Sequence, residues 1–406
     1  MSNHEHPPTS VDEHAALVRD LLDPLSSRAT ERVPLADALG RMTASAVLSP
    51  VDLPLFRNSQ MDGFAVVAAD LQTIPATLPI VGEIAARAGQ PPALQPGTAV
   101  RIMTGAVVPD GADAVVPKED TATELGSSLD GASVTIRRAR SVGDNVRDRG
   151  SDLRAGEQLL PGGLRLGSRH LAVLAAAGLG TVEVSARVRV AIITTGAELI
   201  APGEAVTIGQ VYDANSVALV AAVQATGASV GQTLRVGDDH EAMLAALRDA
   251  AANADLIVTS GGISMGDYEV VREVLEPLGG TVGHIAMQPG GPQATAVFEG
   301  VPVISFPGNP VSTQLSFEVF VAPILRQLAG LPAAQRRSLS LVSDARSVAG
   351  KRQFLRGRAL DGDRVQVVSG PGSHLVAGLA ASDLLIDIPA ETTELKAGST
   401  VETWTL

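Results

Sequence analysis

Asp255-Leu-Ile-Val-Thr-Ser-Gly-Gly-Ile-Ser-Met-Gly-Asp-Tyr-Glu269 is the stretch whose reading decides the fold. Asp255 to Val258 has buried-strand character. It runs into small, flexible residues and then into Tyr268-Glu-Val-Val-Arg-Glu-Val-Leu275, whose apolar spacing is helical. A strand, a glycine turn and a helix in that order belong to an open α/β sheet. Ligands bind such a sheet beyond the carboxyl ends of its strands, where helix N-termini offer unpaired N–H groups. Thr259, Ser260, Gly261, Gly262 and Ser264 then form a backbone-and-hydroxyl cradle suited to a phosphate. The competing reading is a tight turn in which the glycines only relieve crowding.

Two further turns bear on that choice. Val190-Ala-Ile-Ile-Thr-Thr-Gly-Ala-Glu-Leu199 is another apolar strand, and it opens into Thr194, Thr195, Gly196 and the acid Glu198. Val303-Ile-Ser-Phe-Pro-Gly-Asn-Pro-Val-Ser-Thr313 carries the stiff turn Pro307-Gly308-Asn309-Pro310, with Ser312 near the next helix start. All three sit at strand C-terminal ends within one run the size of a single α/β domain. Convergent polar turns at one sheet edge make a site hypothesis that no one of them makes alone.

Composition sets the outer limits. A chain of 406 residues exceeds one ordinary core, so about two to four domains are expected. Aromatics are only 2%, so Val, Leu, Ile and Ala must fill the interior. A formal charge of −13 disfavours nucleic acid and acidic membranes as partners, although an anionic small substrate fits if basic groups gather locally. The absence of cysteine removes disulfides, thiolate metal sites and Cys nucleophiles together, and suits a cytoplasmic location. Neither a signal-peptide pattern nor a bilayer-length apolar run is found.

Outward from the central stretch, residues 1 to 9 read as a polar leader, with His4 and His6 as a remote metal pair. Ser10 and Glu13 form a capping box ahead of a helix with Val11, Ala15, Val18, Leu22 and Leu25 on one face. A second short helix is expected over Leu35 to Arg41. Residues 50 to 148 alternate short apolar runs with Pro and Gly turns, the pattern of a small β domain. Within it, Asp62 is either a turn residue or a working carboxylate. A helix capped by Ser168 and ended by Gly178 follows. The resulting plan is a discontinuous helical domain (10–49 and 149–184), an inserted β-rich domain (50–148), a central mostly parallel three-layer α/β domain (185–330) and a C-terminal β domain (336–406).

Taken together, Asn58-Ser-Gln-Met-Asp-Gly-Phe-Ala65, Arg101-Ile-Met-Thr-Gly-Ala106, Thr195-Gly-Ala-Glu-Leu199, Ser260-Gly-Gly-Ile-Ser-Met-Gly266 and Pro307-Gly-Asn-Pro-Val-Ser312 resemble the molybdopterin molybdotransferases, the MoeA and gephyrin E-domain family. The motifs run in that family's order over essentially the whole chain. The resemblance implies four domains, the third MoaB/Mog-like and the fourth barrel-like, in a cytoplasmic homodimer with a cleft near the subunit interface. It further implies insertion of molybdate into adenylylated molybdopterin with release of AMP, assisted by Mg²⁺, and handover of substrate from a molybdopterin adenylyltransferase. By the same resemblance the active-site acids fall on Asp62, Asp152, Glu198, Asp238 and Glu269, with Glu198 and Glu269 as metal ligands. Substrate contacts fall on Thr104 together with the turn residues Thr195, Gly196, Thr259, Ser260, Gly261, Gly262, Ser264, Pro307, Gly308 and Asn309. Molybdate contacts fall on Pro292, Ser312, Lys351, Arg352, Arg356 and Ser373.

One stretch departs from the family pattern. Met287-Gln-Pro-Gly-Gly-Pro292 has Gln288 and Gly291 where the resemblance implies lysines. A lysine restored at Gly291 is expected to lower the molybdate requirement. The departure also keeps two alternatives in view, a divergent pterin-binding carrier and a molybdopterin adenylyltransferase; the latter leaves the Met61-Asp62-Gly63 motif unexplained.

Overall fold

The computed structural model describes residues 9–123, 131–263 and 269–406, so His4, His6, Ser264 and Tyr268 lie outside the described residues. The described residues fall into two compact units, one of residues 9–31, 40–42 and 184–406, the other of 32–39 and 43–183.

The first unit is built on a six-stranded sheet ordered Ser229–Val236, Arg189–Thr195, Leu256–Ser260, Val301–Phe306, Pro292–Phe298 and Thr281–His284. The first four strands are parallel and the last two antiparallel. Parallel neighbours need long crossovers, which the helices Ala214–Ala225 and His240–Asn253 supply. Strand residues face alternate sides, so a continuously apolar strand needs cover on both. Val190 and Ile192 accordingly pack with Leu219, Phe317 and Phe320, while Ala191 and Ile193 pack with Met243, Leu247 and Val274 on the other face.

The helix Val11–Leu22 carries the expected capping box, with the Glu13 N–H donating to Ser10 Oγ and the Ser10 N–H donating to Glu13 Oε2. It does not join residues 149–184 in a helical domain. Its apolar face, Val11, Val18 and Leu22, is buried in the same core as Phe320. The Leu35 to Arg41 helix is also corrected. Only a 3₁₀ turn over Leu35–Asp37 forms between Pro34 and the left-handed Gly40.

Beyond the α/β sheet, Arg336–Leu341, Arg352–Leu360, Arg364–Val367, Leu384–Ile388 and Thr400–Thr405 pair around a closed circuit and form a small barrel. A short strand from the α/β region, Met287–Gln288, adds in parallel to Arg352–Leu360, with Met287 opposite Arg352 and Gln288 opposite Gln353. This pairing ties the turn after Gln288 to the barrel residues around Lys351.

The second unit centres on another six-stranded sheet, ordered Ala114–Pro117, Gly63–Val66, Ala99–Ile102, Ala76–Ile84, Ser133–Ile136 and Thr121–Thr123. Its faces bury Phe64, Val66 and Val116 on one side and Ala65, Val100 and Val115 on the other. The helix Ser168–Ala176 follows, with Gly167 rather than Ser168 at the cap and the Gly167 N–H donating to His170 Nδ1 at 2.9 Å. No helix among the described residues is long and apolar enough to cross a membrane.

His14, on the inner face of the first helix, is 4% exposed and meets Phe320 edge-on at 4.7 Å. Burial depresses its pKa from 6.5 to about 4, so the folded protein holds it neutral. The unfolded chain takes up this proton below about pH 6.5 while the folded chain resists until about pH 4. Stability present above that window is therefore lost as pH falls through it, by about 3 kcal/mol in full. Urea denaturation at about pH 7 and about pH 4.5 should show this loss in the wild type and a flatter dependence in His14→Leu.

Candidate active site

Three strand ends of the first unit meet at one edge of its sheet. Gly261 and Gly262 have φ of +99° and +66°, conformations that side chains rarely adopt. Space excludes side chains there as well. A Cβ on Gly261 would lie 2.6 Å from the Thr195 carbonyl oxygen, and one on Gly308 would lie 3.4 Å from the Gly261 Cα. The turns after Thr195, Ser260 and Phe306 thus pack backbone against backbone.

A buried chain of hydrogen bonds holds them. Asn215 Nδ2 donates to Ser260 Oγ at 2.9 Å and to the Gly308 carbonyl at 2.7 Å. Ser260 Oγ lies 3.0 Å from Thr313 Oγ1, which donates to the Pro307 carbonyl at 2.6 Å. Nearby, Thr194 Oγ1 donates to Asp213 Oδ2 at 2.8 Å, and Asp213 Oδ1 caps the Ala214–Ala225 helix at the Ser216 N–H. Apart from Asn215 Oδ1 these side-chain groups are paired, which holds the turns above them in place.

Above these turns opens a cavity of about 970 Å³. Thr195, Gly196, Gly261, Gly262, Pro307, Gly308 and Asn309 line its floor. Thr195 Oγ1 is buried without a hydrogen-bond partner against Gly261 and Gly262, beneath the cavity surface. Glu198, Asp238 and Glu269 line a second side; the Glu198 carboxylate lies against Gly196, 2.7 Å from where a Cβ would stand. Pro292, Ser312, Lys351 and Ser373 line the same cavity. No three His, Asp or Glu side chains among the described residues gather into a metal cluster. The carboxylates present suit a hard cation that keeps water and substrate oxygens for its remaining positions, as Mg²⁺ does.

Other expected residues stand elsewhere. Thr259 is fully buried in its strand and Ser260 points into the hydrogen-bond chain, so both support the turns from beneath without lining the cavity. Arg352 is not on the anion side. It pairs with Asp387 through two hydrogen bonds of 2.8 and 2.6 Å, adds Asp12 at 2.9 Å and lines a separate cavity. Arg356 is wholly buried and donates to the Gly370 and Gly372 carbonyls, anchoring the loop that presents Ser373. Both arginines would have to abandon these partners to reach an anion. Ser264 lies outside the described residues.

Asp62, Thr104 and Asp152 belong to the second unit. The Asp62 carboxylate accepts from the Thr104 N–H at 2.8 Å and hydroxyl at 2.9 Å, while Asp152 is exposed. The Thr104 contacts, N–H first, hold the Asp62 pKa below the usual carboxylate value, with Lys118 and Arg101 adding to the effect.

Sequence reading did not single out Asp213, Asn215, Thr313 or His284, all of which build or line the site. The one local signal was Asp213 just before a helical pattern, a helix-cap cue.

Comparisons with known proteins cover the whole length. Residues 9–178 match the MoeA N-terminal region (domain I and II), 191–327 a probable molybdopterin binding domain and 339–406 the MoeA C-terminal region (domain IV). A Mycobacterium tuberculosis protein named molybdopterin molybdenumtransferase 2 is 42% identical, across 98% of this chain and 99% of its own. The molybdopterin molybdenumtransferase of Haemophilus influenzae is 32% identical, across 92% and 93%. A solved Pyrococcus horikoshii molybdopterin biosynthesis MoeA protein superposes with a TM-score of 0.79 at 32% identity, covering 96% of this chain and 98% of that one.

Thr104→Val keeps the backbone donor to Asp62 and removes the hydroxyl. A carboxyl NMR titration should find the Asp62 pKa raised part of the way toward its ordinary value; an unmoved pKa would rule out the hydroxyl contact.

Proposed function

The chain belongs to the MoeA family of molybdopterin molybdenumtransferases, and we propose that it inserts molybdate into adenylylated molybdopterin with release of AMP. The supporting observation is one cavity lined together by the glycine turns, by Glu198, Asp238 and Glu269, and by Lys351 with Ser312 and Ser373.

Each wall suits one part of that substrate pair. Backbone N–H groups of Gly262 and of the Gly308–Asn309 turn can hold phosphate oxygens without adding net positive charge, while the Gly261 N–H is already given to the Phe306 carbonyl. Glu198 and Glu269 would hold a Mg²⁺, with Asp238 beside them; the ion would offset charge building on the phosphoanhydride oxygens as the AMP bond breaks. Lys351, Ser312 and Ser373 give a tetrahedral oxyanion one cation and two hydroxyl donors. On this reading Asp62 and Asp152 serve the same reaction, the working form is a cytoplasmic homodimer, and substrate arrives from a molybdopterin adenylyltransferase.

Incubation of the purified protein with adenylylated molybdopterin, Mg²⁺ and molybdate tests the reading. Molybdate-dependent AMP release is the expected result. Binding without turnover would instead mark a carrier, and ATP consumption on unmodified molybdopterin an adenylyltransferase. Glu198→Gln should slow AMP release by about 10²-fold or more. Ser312→Ala should raise the half-saturating molybdate concentration by about tenfold, the loss of one hydrogen bond to a charged group.

A further inference from the structure

The turn Met287 to Pro292 brings no cation of its own to the cavity. Gln288 is engaged across the strand pair, its Oε1 accepting from Gln353 Nε2 at 2.6 Å. Gly291 is buried, and its φ is not left-handed, so its backbone conformation does not require glycine. What requires it is a neighbour. A Cβ on Gly291 would lie 2.5 Å from both Cε1 and Nε2 of His284. His284 ends the edge strand Thr281–His284, opposite Pro292, and lines the same cavity as Lys351, Ser312 and Ser373. The other titratable groups around that cavity are Glu198, Tyr212, Asp213, Asp238, Glu269 and His374.

We propose that His284 is a specificity-determining residue for the oxyanion substrate: its imidazole, seated over Gly291, joins Lys351 in receiving a tetrahedral dianion and takes up a proton from solvent as the anion enters. This rests on the molybdotransferase reading and deepens it. With the cavity empty, burial and then the Lys351 charge hold the His284 pKa below its ordinary value, so the ring is neutral near neutral pH. A dianion beside it reverses the balance and favours imidazolium, which donates from both nitrogens. Affinity therefore rises as pH falls between the bound and free pKa values, by up to about tenfold per pH unit. The glycine is then part of the device, since a side chain at that position would force the exposed ring to shift from its present place. For the same reason the expected benefit of Gly291→Lys no longer follows: the new stem would occupy the space of His284.

Calorimetric titration of the full-length protein with sodium molybdate, at about pH 6 and about pH 8 and in two buffers of different ionisation enthalpy, reads both affinity and proton uptake. The wild type should bind several-fold tighter at the lower pH, with a buffer-dependent heat. His284→Gln, which retains a donor but cannot charge, should lose the proton uptake and most of the pH dependence. Gly291→Ala leaves the imidazole chemically intact and displaces it, and should weaken binding at the lower pH to a similar extent. The double variant should bind no more weakly than either single one, because both act through the same ring. Wild-type proton uptake and pH slope retained in His284→Gln would overturn the inference, as would a Gly291→Ala affinity equal to wild type. Molybdate-dependent AMP release by the wild type alongside that outcome would leave the activity standing. Absence of both molybdate binding and AMP release in the wild type would end the activity reading and this inference with it.

Discussion

The site of the first unit depends on how closely three backbone turns approach one another. Gly261 lies against the Thr195 carbonyl with no room for a Cβ, Gly308 is in van der Waals contact with Gly261, and turns from separate strand ends share a common floor. Close packing of peptide units is stable only if the polar groups beneath them are paired, because an unpaired buried donor or acceptor costs about 1–3 kcal/mol. The run from Asn215 through Ser260 and Thr313 to the Pro307 carbonyl meets that condition at every member except Asn215 Oδ1. It also links the crossover helix, the central strand and the helix after Phe306 into one rigid support.

A protein of formal charge −13 that handles anions must place its few cations with care. Three basic residues crowd the start of one barrel strand, yet they do different work. Arg352 closes a bidentate pair with Asp387 and a contact with Asp12, tying the barrel to the first helix. Arg356, fully buried, holds the carbonyls of the 370–372 loop. Only Lys351 turns to the cavity. On the proposal above, its partner in charge is not an arginine but the His284 imidazole, which takes up a proton from solvent as the anion enters.

The Met287–Gln288 strand is the element that joins these two ends. By pairing with Arg352–Leu360 it fixes the position of the following turn relative to Lys351. Within that turn, Gln293 Nε2 donates to the Gly290 carbonyl and to Ser316 Oγ, and the Ile285 N–H donates to the Gly291 carbonyl. Gly291, His284 and Lys351 thus reach one wall from three chain segments, each position set by backbone pairing.

Local chemistry in the sequence determined what depends on near neighbours. The apolar strands with polar glycine turns, the Ser10–Glu13 cap, the β patterns on both sides of the α/β region and the motif order that resembled the MoeA family are all readable because strand, helix and cap preferences act over a few residues. The tertiary structure decided matters of partnership. The first helix buries its apolar face in the core of the α/β sheet, far along the chain. Arg352 and Arg356 resembled anion ligands by position until buried carboxylates and carbonyls claimed them, because pairing energies depend on distance in space. His284 gave no signal at all: a lone histidine on an edge strand becomes a site residue only because a glycine seven residues later, brought back beside it by antiparallel pairing, leaves room for its ring.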